Sequence, residues 1–148
     1  MCALRLYSSS HLDIYSAQTE TELSLPVLGS IKAGFPSPAG DFIDLSIDLN
    51  RDLIKHPSAT FYGRVNGESM KNIGINDGDL LVIDKSIEPA DGKIAVCFID
   101  GEFTLKRLRI KEDGVWLVPE NEEFEPIHVK VDSDLRIFGI VIHVIKSF

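Results

Sequence analysis

From Thr60 to the C-terminus the chain is written in short apolar runs separated by turn residues, a strand pattern. Phe61 to Asn66 predicts one strand and Asp79 to Asp84 a second, entered through Asn76-Asp77-Gly78. Lys93 to Ile99 predicts a third, after the turn Glu88-Pro89-Ala90-Asp91-Gly92. Asp100-Gly101 is the strongest hairpin signal in the chain and returns it as Glu102 to Ile110. Asp113-Gly114 turns into Val115 to Val118, and Leu135 to Ile145 is a long apolar final strand. Strands this close together predict a mainly β, compact antiparallel domain, partly closed or barrel-like. One short helix is expected before them. Asp48 can cap Leu49 to Lys55, and His56-Pro57 stops it. Leu45, Leu49 and Leu53 would share a face of that helix.

Residues 1–40 differ. Their charged residues are few (Arg5, Asp13, Glu20, Glu22 and Lys32), and they run through Ser8-Ser9-Ser10 to Ala33-Gly34-Phe35-Pro36-Ser37-Pro38-Ala39-Gly40. The prolines and glycines of that last stretch exclude a helix interior or a central strand. The expectation is an extended arm on the surface that docks through Leu4, Leu6, Leu12, Ile14, Leu25, Val27 and Leu28.

Length and charge narrow the function. The 148 residues suit one domain, with 44% hydrophobic and 26% charged residues, an ordinary globular composition. Acidic side chains outnumber basic ones 23 to 15, a net charge of −8, which argues against direct gripping of DNA phosphates. No apolar run approaches the roughly 18 residues a membrane span needs, and no signal-peptide pattern opens the chain. A disulfide between Cys2 and Cys97 would have to join a terminus to a core strand. The plainer expectation is a reduced compartment, with Cys97 a small buried hydrophobe. His11, His56, His128 and His143 are scattered, and no His/Cys cluster has metal spacing, so no metal or cofactor is expected.

Two residues could carry chemistry. Ser69, in Gly67-Glu68-Ser69-Met70, follows a strand where the backbone can turn sharply and present amides to an oxyanion. Lys71 takes the place of the second glycine of an α/β-hydrolase elbow, so that fold is not supported. A histidine base would have to be His56, His128 or His143, and none stands in a recognisable pattern. Lys106, in Phe103-Thr104-Leu105-Lys106-Arg107-Leu108, shares a strand face with Thr104 and Leu108. Desolvation there would lower its pKa, as a general base near neutrality requires. From spacing alone the plainer readings are a turn serine and a lysine whose head stays in water.

Taken in order, Ala33-Gly34, Gly67-Glu68-Ser69-Met70, Ile75-Asn76-Asp77-Gly78-Asp79-Leu80-Leu81 and Phe103 to Leu108 resemble the LexA-type self-cleaving serine peptidases. Gly34 to Ala39, His56-Pro57-Ser58-Ala59-Thr60 and Phe138-Gly139-Ile140-Val141-Ile142-His143 resemble most the branch of that family serving error-prone bacterial DNA polymerases. The resemblance covers residues 33–148. It implies Ser69 as nucleophile, Lys106 as neutral general base, Ala33-Gly34 as the scissile bond, and the backbone amides of Ser69 and Glu68 as the oxyanion hole. It also implies an arm, residues 1–33, removed from a peptidase domain, residues 34–148. The implied partners are a second copy in a homodimer, a RecA filament on single-stranded DNA, a UmuC-type polymerase subunit and the replicative sliding clamp. The implied setting is the bacterial cytoplasm. LexA and phage repressors carry a helix-turn-helix domain before the cleavage site, and 33 residues with two basic side chains do not accommodate one. Two other readings stand beside this one: a Ser/Lys processing peptidase acting on other proteins, like the signal peptidases, and a non-catalytic β binding module.

Overall fold

A computed structural model describes residues 5–9, 11–17, 19–28 and 43–148. The chain divides into two units, residues 18–55 and residues 1–17 with 56–148.

In the smaller unit β3 (Ser24–Leu28) pairs antiparallel with β4 (Ile43–Asp48), from Ser24 opposite Asp48 to Leu28 opposite Ile43. The residues between them include Ala33-Gly34, which lies outside the described residues, as do Phe35 to Gly40. Asp48 caps α1 (Leu49–Leu53) as expected, its Oδ1 accepting from Asn50 N at 3.0 Å. The helix is shorter than predicted. β4 runs to Asp48, so Leu45 is a strand residue and not part of the helix, and Leu49 is exposed. The β-branched Ile54 is extended and buried, which ends the helix two residues before Lys55.

The larger unit is one antiparallel sheet of nine strands: β1 (Arg5–Ser8), β2 (Leu12–Ser16), β5 (Thr60–Val65), β6 (Leu80–Asp84), β7 (Ile94–Ile99), β8 (Glu102–Lys111), β9 (Gly114–Val118), β10 (Ile127–His128) and β11 (Leu135–Ile145). Their spatial order is β1-β2-β5-β6-β11-β7-β8-β9-β10, and the sheet does not close into a barrel. The predicted strands after Thr60 are present to within a residue or so at each end. Asp100 and Gly101 turn the β7–β8 hairpin with φ of 49° and 87°, as the sequence signal requires.

The last strand joins the two halves of this sheet. β11 pairs with β6 along one edge and β7 along the other, and its register shifts between Ile137 and Gly139 and between Val141 and His143. Alternation then sorts side chains onto two cores. Val96 and Leu105 join Leu12, Ile14, Val65, Met70, Ile75, Leu81 and Ile83, while Ala95, Cys97 and Leu108 join Leu117 and Ile140.

Part of the N-terminal stretch docks, and more deeply than a surface arm, through Leu12 and Ile14, while Leu6 and Leu25, also expected to dock, are exposed. β2 is an interior strand between β1 and β5, and Leu12 and Ile14 are 0% and 1% exposed. The reason is visible in β5, where Gly63 makes room: a Cβ there would sit 3.2 Å from Leu12 Cδ1.

Gly139 marks the tightest strand approach. A Cβ built on it would meet Ile83 Cγ2 at 2.6 Å and the Asp84 carbonyl oxygen at 3.2 Å, neither at the end of a long flexible chain. Gly139→Ala is therefore expected to destabilise the protein by roughly 1–3 kcal/mol through overpacking. Urea unfolding should show a lower midpoint at unchanged slope. An unchanged midpoint would show that the β6–β11 contact yields freely.

Candidate active site

Lys106 sits in the middle of β8, opposite Ala95 on β7, with Cys97 opposite Thr104 one step along the same face. The alanine leaves room beside the strand for the lysine stem. The residue is 8% exposed, which sets aside the reading of a head held in water. Its Nζ has two fixed partners, Thr104 Oγ1 at 2.7 Å and the Leu105 carbonyl at 3.0 Å. A third group lies farther off, Ser69 Oγ at 3.4 Å.

Burial lowers the Lys106 pKa below its ordinary value, the neighbouring Cys97 opposing that only in part. Cys97 is itself fully buried, and burial pushes its thiol up to about 12, so it stands beside the lysine as a neutral group. Among the described residues no ion pair includes Lys106. No carboxylate among the described residues stands within ion-pair distance of the Nζ to restore the ammonium.

Ser69 belongs to the turn between β5 and a single 3-10 turn, Lys71–Ile73. Gly67 opens that turn with φ of 102°, a left-handed value that suits glycine, and its N–H donates to Asp77 Oδ1 at 2.7 Å. The turn is braced by the segment between β9 and β10. Glu120 N donates to the Ser69 carbonyl at 2.8 Å, and Asn72 N donates to the Glu120 carbonyl at 2.9 Å. Asn121, nearly fully buried, donates from Nδ2 to the Glu68 carbonyl at 2.9 Å. In a trans peptide the carbonyl and the following N–H point in opposite directions. Holding the Glu68 carbonyl therefore aims the Ser69 N–H the other way. Among the described residues neither the Glu68 nor the Ser69 N–H donates to a protein acceptor.

Ser69 and Lys106 open onto one cleft, lined also by Ile99, Glu102 and Thr104, by Phe124, Glu125 and Ile127, and by His11 from the β1–β2 turn. A lysine that loses its proton easily, beside a hydroxyl and two undonated amides, can accept a proton, release a nucleophile and bind a developing oxyanion.

The structure thus brings together Ser69, Lys106 and the amides of Glu68 and Ser69, while Ala33 and Gly34 lie outside the described residues. Of the histidines weighed as bases, His56 Nδ1 contacts buried Asp84 at 2.6 Å, His128 stacks on Trp116, and His143 lies in β11 opposite Val82, outside the residues lining this cleft. Sequence reasoning missed Asn121 and Glu120, and it missed Thr104 as a lysine partner although it placed both on one face. Among the described residues no group of His, Cys, Asp or Glu could hold a metal, and no helix is long and apolar enough to cross a membrane.

The site thus sets a serine hydroxyl 3.4 Å from a buried lysine amine on an antiparallel sheet. Residues 26–142 match the Peptidase S24-like family, and the chain belongs to it. It is 44% identical to Protein ImpA of Salmonella typhimurium over 115 residues, 77% of each chain. It is 44% identical to Protein SamA of the same species over 109 residues, 74% of this chain and 75% of that one. The LexA repressor of Vibrio atlanticus is 42% identical over 127 residues, 85% of this chain and 61% of the repressor. The chain thus spans about three-fifths of the length of the LexA relatives it matches.

The burial of Lys106 has a direct readout. Lysine Cε resonances in a 13C-labelled sample should show one residue titrating below the ordinary value of about 10.4, assigned to Lys106 by its loss in Lys106→Met. Titration of all lysines together would contradict the buried environment.

Proposed function

We propose that the chain is a self-cleaving serine peptidase that cuts its own Ala33-Gly34 bond with a Ser69/Lys106 dyad. The observation that carries this is the buried Lys106 Nζ, 3.4 Å from Ser69 Oγ and in no ion pair among the described residues. Ser69 Oγ attacks the Ala33 carbonyl carbon while neutral Lys106 takes the hydroxyl proton. The oxyanion is met by the Glu68 and Ser69 amides. The C–N bond breaks, and the proton held on Lys106 passes to the Gly34 amine. A water, deprotonated by the same lysine, then hydrolyses the ester between Ala33 and Ser69.

The biological setting follows from the motifs that resemble UmuD, the accessory subunit of an error-prone translesion polymerase in the SOS response. On this reading the protein acts in the bacterial cytoplasm as a homodimer. A RecA filament on single-stranded DNA stimulates the cut. The product then serves a UmuC-type polymerase subunit and meets the replicative sliding clamp. A RecA filament would act by favouring an arrangement in which the bond lies in the cleft, a population shift. The alternatives, a processing peptidase for other proteins and a non-catalytic binding module, lack a motif of their own. The resemblance places a candidate substrate bond within this chain.

Purified protein should convert slowly to fragments 1–33 and 34–148, faster as pH rises and Lys106 loses its proton. The lowered pKa places that rise below the ordinary lysine range. Intact mass spectrometry should show both fragments for the wild type and only full-length chain for Ser69→Ala and Lys106→Ala. RecA with single-stranded DNA and a nucleotide should accelerate the cut near neutral pH. Full-length wild type after prolonged alkaline incubation, unchanged by RecA, would end the proposal. Efficient turnover of a separate substrate would favour the processing peptidase instead.

A further inference from the structure

We propose that cleavage at Ala33-Gly34 does not release the N-terminal fragment: residues 5–16 stay in the main sheet, and the product is a nicked two-piece protein. This rests on the self-cleavage reading above.

Besides its pairing with β1, β2 is held to the rest of the sheet by contacts whose partners lie on the far side of the bond. Its five residues pair with β5, from Leu12 opposite Val65 to Ser16 opposite Phe61. Leu12 and Ile14 are core side chains, packed with Val65, Leu81 and Ile83. Gly63 and Ile83 shape the seat, since a Cβ at residue 63 would meet Leu12 Cδ1 at 3.2 Å and Ile83 Cδ1 at 3.0 Å. Tyr7 of β1 meets the Phe103 ring edge-on at a centroid distance of 4.5 Å. The turn between the two strands is tied down as well: Asn66 N donates to the His11 carbonyl at 2.8 Å and Asn66 Nδ2 to the Ser9 carbonyl at 3.2 Å.

Hydrolysis of the bond touches none of these contacts. Residues 1–17 share a unit with residues 56–148, whereas Ala33 and Gly34 fall within the separate unit of residues 18–55. What the cut removes is the tether, and with it the high effective concentration of the segment. Departure of the fragment would strip β5 of its ladder with β2 and leave an unpaired strand edge. It would also open two holes in the core where Leu12 and Ile14 had been. The fragment carries His11, which lines the cleft of Ser69 and Lys106, so retention keeps that wall in place after the cut. The cut form would then differ from the intact one by a new carboxylate at Ala33 and a new amine at Gly34, and a partner selective for it would read those ends.

The test is size-exclusion chromatography of protein cut to completion, each peak analysed by denaturing mass spectrometry. Fragment 1–33 is expected in the peak of fragment 34–148. Fragment 34–148 eluting alone would overturn the proposal. A second protein, with a specific-protease recognition sequence inserted between residues 29 and 33, is cut by added protease. If the wild type never cuts itself, the self-cleavage reading fails, while this second protein still decides retention by the same co-elution. The double variant Leu12→Asp/Ile14→Asp, cut the same way, should lose the fragment, and retention there would overturn the assigned contacts. Should that variant not fold, amide exchange on the nicked wild type decides: protection across residues 12–16 and 61–65 should survive the cut, and its loss would overturn the proposal.

Discussion

An ammonium group taken out of water loses hydration that only charge or hydrogen bonds can replace, and the sheet around Lys106 replaces it sparingly. Thr104 and the Leu105 carbonyl supply acceptors, which keep the head oriented. Among the described residues no carboxylate stands within ion-pair distance, and Cys97, on the facing strand, is held neutral by its own burial. A counter-ion would have made the site more stable and chemically inert, since it would have fixed the proton on the lysine. The placement of β7 against β8, with alanine opposite the lysine, creates this environment, and β11 secures it by covering the other edge of β7.

The serine is built differently, on a turn, and a turn needs bracing to be as exact as a strand. The bracing comes from one short segment after β9. Glu120 is its centre: its N–H holds the Ser69 carbonyl, its carbonyl holds Asn72, and its carboxylate pairs with Arg107 at 2.5 Å. Arg107 is the residue after Lys106, on the opposite face of β8, and is itself anchored to the Gly92 carbonyl at 2.6 Å. The lysine's strand and the serine's turn are therefore fastened to each other through a residue that touches neither functional atom. This explains how a separation near hydrogen-bond length can persist between groups on unconnected elements.

Much of this was legible beforehand because it rests on local signals. The Asp100-Gly101 hairpin set the β7–β8 register, and period-two alternation then put Thr104, Lys106 and Leu108 on one face. The side of the sheet that would be dry was not legible, since it depends on the curvature and long-range pairing of nine strands. Asn121 was invisible for the same reason: an asparagine in a polar loop carries no sign that it will be buried against a backbone carbonyl 53 positions away. The N-terminal hairpin is a different case. Leu12 and Ile14 alternate with polar residues beyond a serine-rich turn, which is a strand signal, but the sparse charge and the proline-rich stretch after Ala33 drew residues 1–40 together as one arm. β3 was missed in the same way, because Pro26 argues against a central strand and is compatible with a two-stranded ribbon.

The division into two units bears on how such a peptidase could be controlled. Ser69, Lys106, Thr104, Glu120 and Asn121 all belong to the sheet unit, so the site is assembled from residues that need no substrate to position them. The bond assigned to it belongs to the other unit, in the connection between two strands, β3 and β4, that are already paired. Under the proposed function, then, folding does not limit the reaction. Two quantities do: the fraction of lysine that is neutral, set by burial within the sheet, and the fraction of time the β3–β4 connection spends in the cleft. The first is a property of pH and changes little in a cell. The second is an equilibrium between arrangements of folded parts, which a binding partner can shift by as much as its affinities for them differ.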